Sequence, residues 1–215
     1  MKPIRVLLAD DHAIVRDGLK AILETDDLCT VVAEAADGAE AIERAEKTPL
    51  DLAIVDLSMP RLNGLEVVRR LAETQPRLPI LMLTHHHEPE YVLPLVRAGA
   101  RGYLVKDTPG AELRKAVECI AGGGSLFGPE AAAALARAQR EPNEREVDDP
   151  YETLTARERE VMQLVCEGSS TKEVARTLGI GVKTAENHRS RVLQKLQTRN
   201  TAELVRYAAR RGLID

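Results

Sequence analysis

Asp10, Asp11, Asp56, Thr84 and Lys106 each stand at or just past the end of a short apolar run. Three carboxylates brought to one place repel one another. A hard divalent cation held through oxygen ligands would relieve that repulsion. One of the carboxylates could then act as a nucleophile toward phosphorus and carry an aspartyl phosphate. A lysine at the rim would neutralise phosphoryl oxygens. Neither a G-x-G-x-x-G nor a G-x-x-x-x-G-K-[ST] pattern follows the first run, which disfavours a dinucleotide or nucleoside triphosphate site.

These residues act together only if the runs lie side by side. The runs are Ile4–Ala9, Cys29–Ala33, Leu52–Val55, Ile80–Leu83 and Gly102–Val105, all rich in Val, Ile and Leu. Between them lie stretches with helical apolar spacing, such as Leu65/Val68/Leu71 and Leu113/Val117/Ile120. Continuous apolar strands alternating with amphipathic helices predict a buried parallel sheet covered on both faces. Five such units make a doubly wound α/β domain, whose ligands sit beyond the carboxyl ends of the strands.

Charge divides the chain of 215 residues. Residues 1–128 carry a net −5, residues 129–150 a net −3 and residues 151–215 a net +4, within an overall −4. An acidic larger part followed by a small basic part predicts that the second part meets a polyanion. Residues 139–150 are polar, charged and rich in proline, and read as a linker. No apolar run approaches the ~20 residues that would span a bilayer. The first ten residues are too short and too soon acidic for a signal peptide. Cys29, Cys119 and Cys166 are too scattered for a disulfide framework or a zinc ribbon, and they fit a reducing cytosol. Cys119 and Cys166 read as core residues on apolar helix faces. His85-His86-His87 reads as a solvated loop. With Phe127 and four tyrosines as the whole aromatic complement, stacking on single-stranded nucleic acid is disfavoured.

The C-terminal part reads as four helices. Thr155 and Glu158 form a capping box, and Gly168 ends the first helix. Ser170 or Thr171 caps the second, and Gly179-Ile180-Gly181 is a tight turn. A third helix spans about 182–196 and a fourth about 201–210. Two helices across a glycine-bearing turn make a helix-turn-helix candidate. At about 100° per residue, Ala185, Val192 and Leu196 share one face of the third helix. Lys183, Glu186, Asn187, Ser190 and Gln194 lie opposite. His188, Arg191 and Lys195 run along a flank. The polar face can hydrogen-bond base edges and the flanking cations can grip phosphates. A plain solvated face has the same polarity.

Two resemblances sharpen this. Leu8-Ala9-Asp10-Asp11-His12, Asp56-Leu57-Ser58-Met59-Pro60 with Asn63-Gly64, Leu83-Thr84 and Gly102-Tyr103-Leu104-Val105-Lys106-Asp107 resemble the receiver domain of a two-component response regulator, over about residues 1–124. That resemblance implies a flavodoxin-like fold and a phosphoryl group accepted on Asp56 from a histidine kinase. It implies Mg²⁺ held by Asp11, Asp56 and the Ser58 carbonyl, with Asp10 assisting. Lys106 would pair with the phosphoryl group, Thr84 would donate its hydroxyl to it, and Tyr103 would swing inward when Thr84 moves. His85 stands where many receivers have a small residue.

Leu154-Thr155, Arg157-Glu158, Glu160-Val161, Gly168, Lys172-Glu173-Val174-Ala175, Leu178-Gly179-Ile180, Lys183-Thr184-Ala185-Glu186-Asn187-His188 and Lys195-Leu196 resemble the LuxR-type DNA-binding domain, over about 151–215. Residues 125–150 form the helical or flexible linker between the two domains. The whole chain is similar to NarL/FixJ-type response regulators. That implies Glu186, Asn187 and Ser190 facing bases, and Lys183, Thr184, Arg191 and Lys195 facing the backbone of double-stranded promoter DNA. It further implies a homodimer through the fourth helix, formed on phosphorylation, in a cytoplasmic transcription factor with no membrane partner and no enzymatic turnover. Gly181 and Ala185 depart from the family's usual Ser or Thr and Val. Two rival readings stand beside this one. The first is an aspartyl-phosphate phosphatase, which wants a second acid where Ser58 stands. The second is a regulator whose receiver works without phosphate.

Overall fold

The computed structural model describes residues 2–85, 92–128, 131–133, 136 and 150–214. The chain divides into two units, Met1–Ala138 and Gln139–Asp215.

The first unit alternates strand and helix: β1 Ile4–Ala9, α1 Ala13–Leu23, β2 Cys29–Ala35, α2 Gly38–Lys47, β3 Leu52–Asp56, α3 Gly64–Thr74, β4 Ile80–Thr84, α4 Val92–Ala98, β5 Gly102–Val105, α5 Gly110–Ala121 and β6 Leu126–Phe127. The sheet order is β2-β1-β3-β4-β5-β6, and every pair is parallel. All five residues of β3 and of β4 are buried, as continuous apolar strands covered on both faces require. Strand β2 has a single neighbour and alternates buried with open positions, leaving Val32 exposed. Val6, Leu8, Ile54, Leu81 and Leu83 pack with Leu19 and Leu23 of α1 and Leu113, Val117 and Ile120 of α5 in one core.

Two features extend the sequence expectation. Strand β2 runs two residues further, to Ala35, because Glu34 and Ala35 pair with Leu8 and Ala9 of β1. A sixth strand, of only two residues, pairs Leu126 with Gly102 and Phe127 with Tyr103, inside the segment expected to be linker. The rest of that segment is helical at 131–133 and 136, while 129–130, 134–135 and 137–149 lie outside the described residues. His86 and His87 also lie outside them. Cys119 corrects the expectation of a core thiol. It is exposed on α5, while Cys29 is buried and Cys166 partly so.

The second unit is helical: a 3-10 turn Pro150–Thr153, then α6 Ala156–Cys166, α7 Thr171–Thr177, α8 Val182–Lys195 and α9 Thr201–Ala209. Thr155 with Glu158, and Ser170 with Glu173, form complete capping boxes. Gly168 and Gly179 take positive φ and close α6 and α7 in Schellman turns. Ser169 N–H donates to Leu164 O, and Ile180 N–H to Ala175 O. Gly181 starts α8 without a side-chain cap. Tyr151, Leu154, Val161, Val165, Val174, Ala185, Val192, Leu204 and Leu213 are buried.

Candidate functional site: an acidic crevice and an exposed helix

Strands β1 and β3 are neighbours, and their helices leave in opposite directions of the strand order, which opens a crevice beyond their carboxyl ends. Asp10 follows β1 and Asp56 closes β3, and both are almost fully buried. Thr84, fully buried, ends β4 one residue beyond the Asp56–Leu83 register pair. Lys106 follows β5, and its N–H donates to Thr84 O at 2.8 Å. The four strand ends therefore deliver two carboxylates, a hydroxyl and an ammonium to one edge, as their positions in the sequence predicted.

Lys106 Nζ lies 2.6 Å from Asp56 Oδ2 and 2.7 Å from Asp10 Oδ2. One ammonium thus serves two buried carboxylates. Burial, reinforced by the charge of Asp10, pushes the Asp56 carboxyl up to about 7 despite the pull of Lys106. Burial alone would lower the Lys106 ammonium, but its two carboxylates outweigh that and hold it above its ordinary value. The lysine stays charged, and the surplus negative charge is what the site disfavours.

The loop from Leu57 to Asn63 carries Ser58, which is buried. Its path is set by two glycines. A Cβ on Gly64 would fall 2.1 Å from Asp56 O, and one on Gly38 would fall 1.9 Å from Leu62 O. Backbone packs against backbone at both points. Asn63 then caps α3 by accepting from Glu66 N–H at 3.1 Å.

Asp10, Asp11, His12 and Asp56 bring one ligand atom each to within 4.8 Å of one another. Asp10 Oδ2 and Asp11 Oδ1 are buried and accept no well-aligned hydrogen bond; their close neighbours are the Lys106 ammonium and the His12 ring. Under-satisfied buried carboxylate oxygens suit a hard divalent ion. Asp10, Asp11 and Asp56 fit Mg²⁺ on that donor chemistry. Two neighbours of this site carried no role in the sequence analysis. His12 sits at the N-cap of α1, and its N–H donates to Asp10 Oδ1. Arg16, one turn on, donates to Asp10 O. The legible signal was adjacency: His12 directly follows the acidic pair. Tyr103 is buried on β5, opposite Phe127 of β6.

In the second unit, Lys183, Thr184, Glu186, Asn187, Ser190 and Arg191 are all exposed on α8. Lys183 Nζ pairs with Glu186 Oε2 at 3.0 Å. The opposite face, through Ala185 and Val192, is buried. Arg189 ties α8 to its neighbours by donating to the hydroxyls of Thr171 and Thr201. Lys195 has partners that its angular position on the helix did not indicate. Its ammonium lies 2.6 Å from Glu158 Oε2 and donates to Thr153 O at 2.8 Å. It braces α8 against the start of α6, with a third of its side chain still exposed.

A parallel α/β unit with this crevice, joined to a helix-turn-helix unit, is the architecture of a signal receiver coupled to a DNA reader. Comparison with known proteins agrees. Residues 6–118 match the response regulator receiver domain, and residues 152–208 match the luxR family of bacterial regulatory proteins. The chain is 38% identical over 212 residues to the transcriptional regulatory protein MctR of Rhizobium johnstonii, covering 99% of this chain and 96% of that protein. It is 35% identical to the oxygen regulatory protein NreC of Staphylococcus carnosus, over 99% of this chain and all of that one. Among solved structures, the response regulator ChrA of a heme-sensing two-component system aligns over the full length of both chains, with 36% identity and a TM-score of 0.54. A complex of the response regulator RcsB with DNA aligns at 26% identity and a TM-score of 0.59, over 96% of this chain and 98% of that one. The chain belongs to the two-component response regulators with a LuxR-type DNA-binding domain. No helix among the described residues is long and apolar enough to cross a membrane.

Proposed function

We propose that this protein is a phosphorylation-switched, cytoplasmic transcription factor that turns over no substrate of its own. Residues 1–124 receive the signal, 125–150 connect, and 151–215 bind DNA. Asp56 takes the phosphoryl group from a histidine kinase. One carboxylate oxygen attacks phosphorus, the P–N bond to the kinase histidine breaks, and an aspartyl phosphate forms. Mg²⁺, when bound by Asp11, Asp56 and the Ser58 carbonyl with Asp10 beside them, supplies positive charge to the phosphoryl oxygens. Lys106 neutralises them from the other side, and the Thr84 hydroxyl donates to one of them, drawing Tyr103 inward behind it. The observation that carries this reading is the single Lys106 ammonium between two buried carboxylates at a strand switch point.

Phosphorylation shifts an equilibrium only as far as it favours one state over the other. The unphosphorylated chain is expected to be mainly monomeric. Treatment with Mg²⁺ and acetyl phosphate should raise the dimer fraction in sedimentation and tighten promoter binding about tenfold, which corresponds to roughly 1.4 kcal/mol of differential stabilisation. Mass spectrometry reads the phosphoryl group in the same sample. A chain that is fully phosphorylated yet unchanged in both assembly and DNA affinity would refute the switch.

On DNA, Glu186, Asn187 and Ser190 address base edges, while Lys183, Thr184 and Arg191 address phosphates. Asn187 lies at the centre of the exposed face, and its amide both donates and accepts. Asn187→Ala should cost about 1–3 kcal/mol on the preferred site and much less on scrambled duplex. Binding titrations on both duplexes check this. An unchanged specificity ratio would mean that α8 is turned differently in the groove.

A further inference from the structure

Resting on the reading of α8 as the DNA-reading helix and of α9 as the dimer helix, we propose that Arg189 is a positioning residue that couples the two, and so fixes which half-site spacing the dimer accepts. Arg189 lies half-buried on α8. Its Nη2 donates to Thr201 Oγ1 at 2.8 Å, and its Nη1 donates to Thr171 Oγ1 at 3.2 Å. Thr201 is the first residue of α9 and Thr171 the first of α7. A guanidinium can make both bonds because its N–H groups diverge from one rigid plane. One side chain thus joins the starts of two helices to a third.

The bond to α9 matters because α8 and α9 share little packing of their own. Helix α8 packs on α6 and α7, whereas α9 packs on α6. The chain links α8 to α9 through the turn 196–200, in which Gln197 takes a φ of 53°, uncommon for a residue other than glycine. Thr198 N–H donates to Leu193 O at 2.9 Å and closes that turn. The turn fixes where α9 begins, and the Arg189–Thr201 bond limits its swing relative to α8. In a two-fold dimer held through α9, the angle between α8 and α9 enters twice, once per subunit. A small swing is therefore doubled between the two reading helices. Half-site spacing mirrors the separation of those helices, and one added base pair moves the second half-site by about 3.4 Å and turns it by about 35°. A firm angle rejects that displacement, and a loose one accommodates it.

The experiment uses the full chain treated with Mg²⁺ and acetyl phosphate. It is titrated onto a duplex of paired half-sites selected from a random library, and onto the same duplex with one base pair added or removed between them. The wild type should lose about tenfold in affinity on the altered spacings, and Arg189→Met and Thr201→Val less than about threefold. Thr171→Val removes the other bond of the same guanidinium and should keep the wild-type preference. Asn187→Ala should lose base discrimination and keep the spacing preference. A wild-type spacing preference in Arg189→Met or in Thr201→Val overturns the proposal. So does an equal relaxation in Thr171→Val, which would make Arg189 a general strut of the unit. A salt slope lowered by about one in Arg189→Met, with the spacing preference intact, would make the guanidinium a phosphate contact and overturns it too. If the wild type itself ignores spacing, the reading of α9 falls. If Asn187→Ala keeps full base discrimination, the reading of α8 falls. In either case this proposal falls with it.

Discussion

Replacing Asp56 with Asn is expected to reduce phosphoryl uptake from acetyl phosphate to background while leaving the fold intact. The substitution keeps the shape of the side chain and removes the anionic oxygen that attacks phosphorus. Asp56 is the carboxylate that ends β3, and Lys106 already holds its Oδ2 at 2.6 Å, where a phosphoryl oxygen would need a cation. Asp10 is as deeply buried, but its Oδ1 accepts the His12 N–H. Mass spectrometry at matched times, with Mg²⁺ present, gives the comparison. Uptake at the wild-type rate in Asp56→Asn would move the acceptor elsewhere.

The same variant carries a stability signature with a definite sign. Burial raises the Asp56 carboxyl from 3.8 to about 7, so the folded state binds its proton more tightly than the unfolded state does. This group therefore favours folding below about pH 4, and that contribution is lost as pH rises toward 7. With divalent ions removed, the receiver unit of Asp56→Asn should melt higher than wild type at pH 8, and the difference should shrink by pH 5. A variant that melts lower at both values would mean that the Lys106 pairing outweighs the burial of charge.

The crevice was legible because its parts obey local rules. A continuous apolar run is a buried strand, and a polar residue at its end must emerge at the sheet edge, whatever the neighbours are. Asp10, Asp56, Thr84 and Lys106 needed no more than that. The helices of the second unit were legible for similar reasons, since capping boxes and C′ glycines are written in short spacings. What escaped depends on partners distant in the chain. Strand β6 has two residues, too few to show a period, and exists because Gly102 and Tyr103 offer an open edge. Cys119 lies beside the apolar stripe of α5 but faces out, toward Ser125 O. Angular position on a helix gives a face and not the neighbour across it, so the Glu158 partner of Lys195 was not legible.

Lys195→Ala should destabilise the second unit by roughly 1–3 kcal/mol, below the usual cost of breaking a fully buried pair because Lys195 keeps part of its surface in water. Glu158 is 2% exposed, and its carboxylate also accepts the Thr155 N–H that completes the capping box at 2.9 Å. Burial alone would raise the Glu158 carboxyl; the Lys195 and Thr155 hydrogen bonds bring it below its ordinary 4.5 instead. In the wild type, this contribution is present above that ordinary value and is lost as pH falls through the lowered one. Without Lys195, burial is no longer countered by a cation, so the acid dependence contributed by Glu158 should flatten or reverse. Urea titrations of the full chain, read by hydrogen exchange of α6 and α8 amides at pH 7 and pH 4, measure both effects. The Glu158→Gln, Lys195→Ala double variant should recover part of the loss, because it removes the stranded charge. DNA binding separates the brace from a phosphate grip. Arg191→Ala should lower the salt slope by about one unit per bound subunit, whereas Lys195→Ala should leave it unchanged. A Lys195→Ala chain with wild-type stability and a salt slope reduced by about one would return the ammonium to the phosphate and make the Glu158 contact incidental.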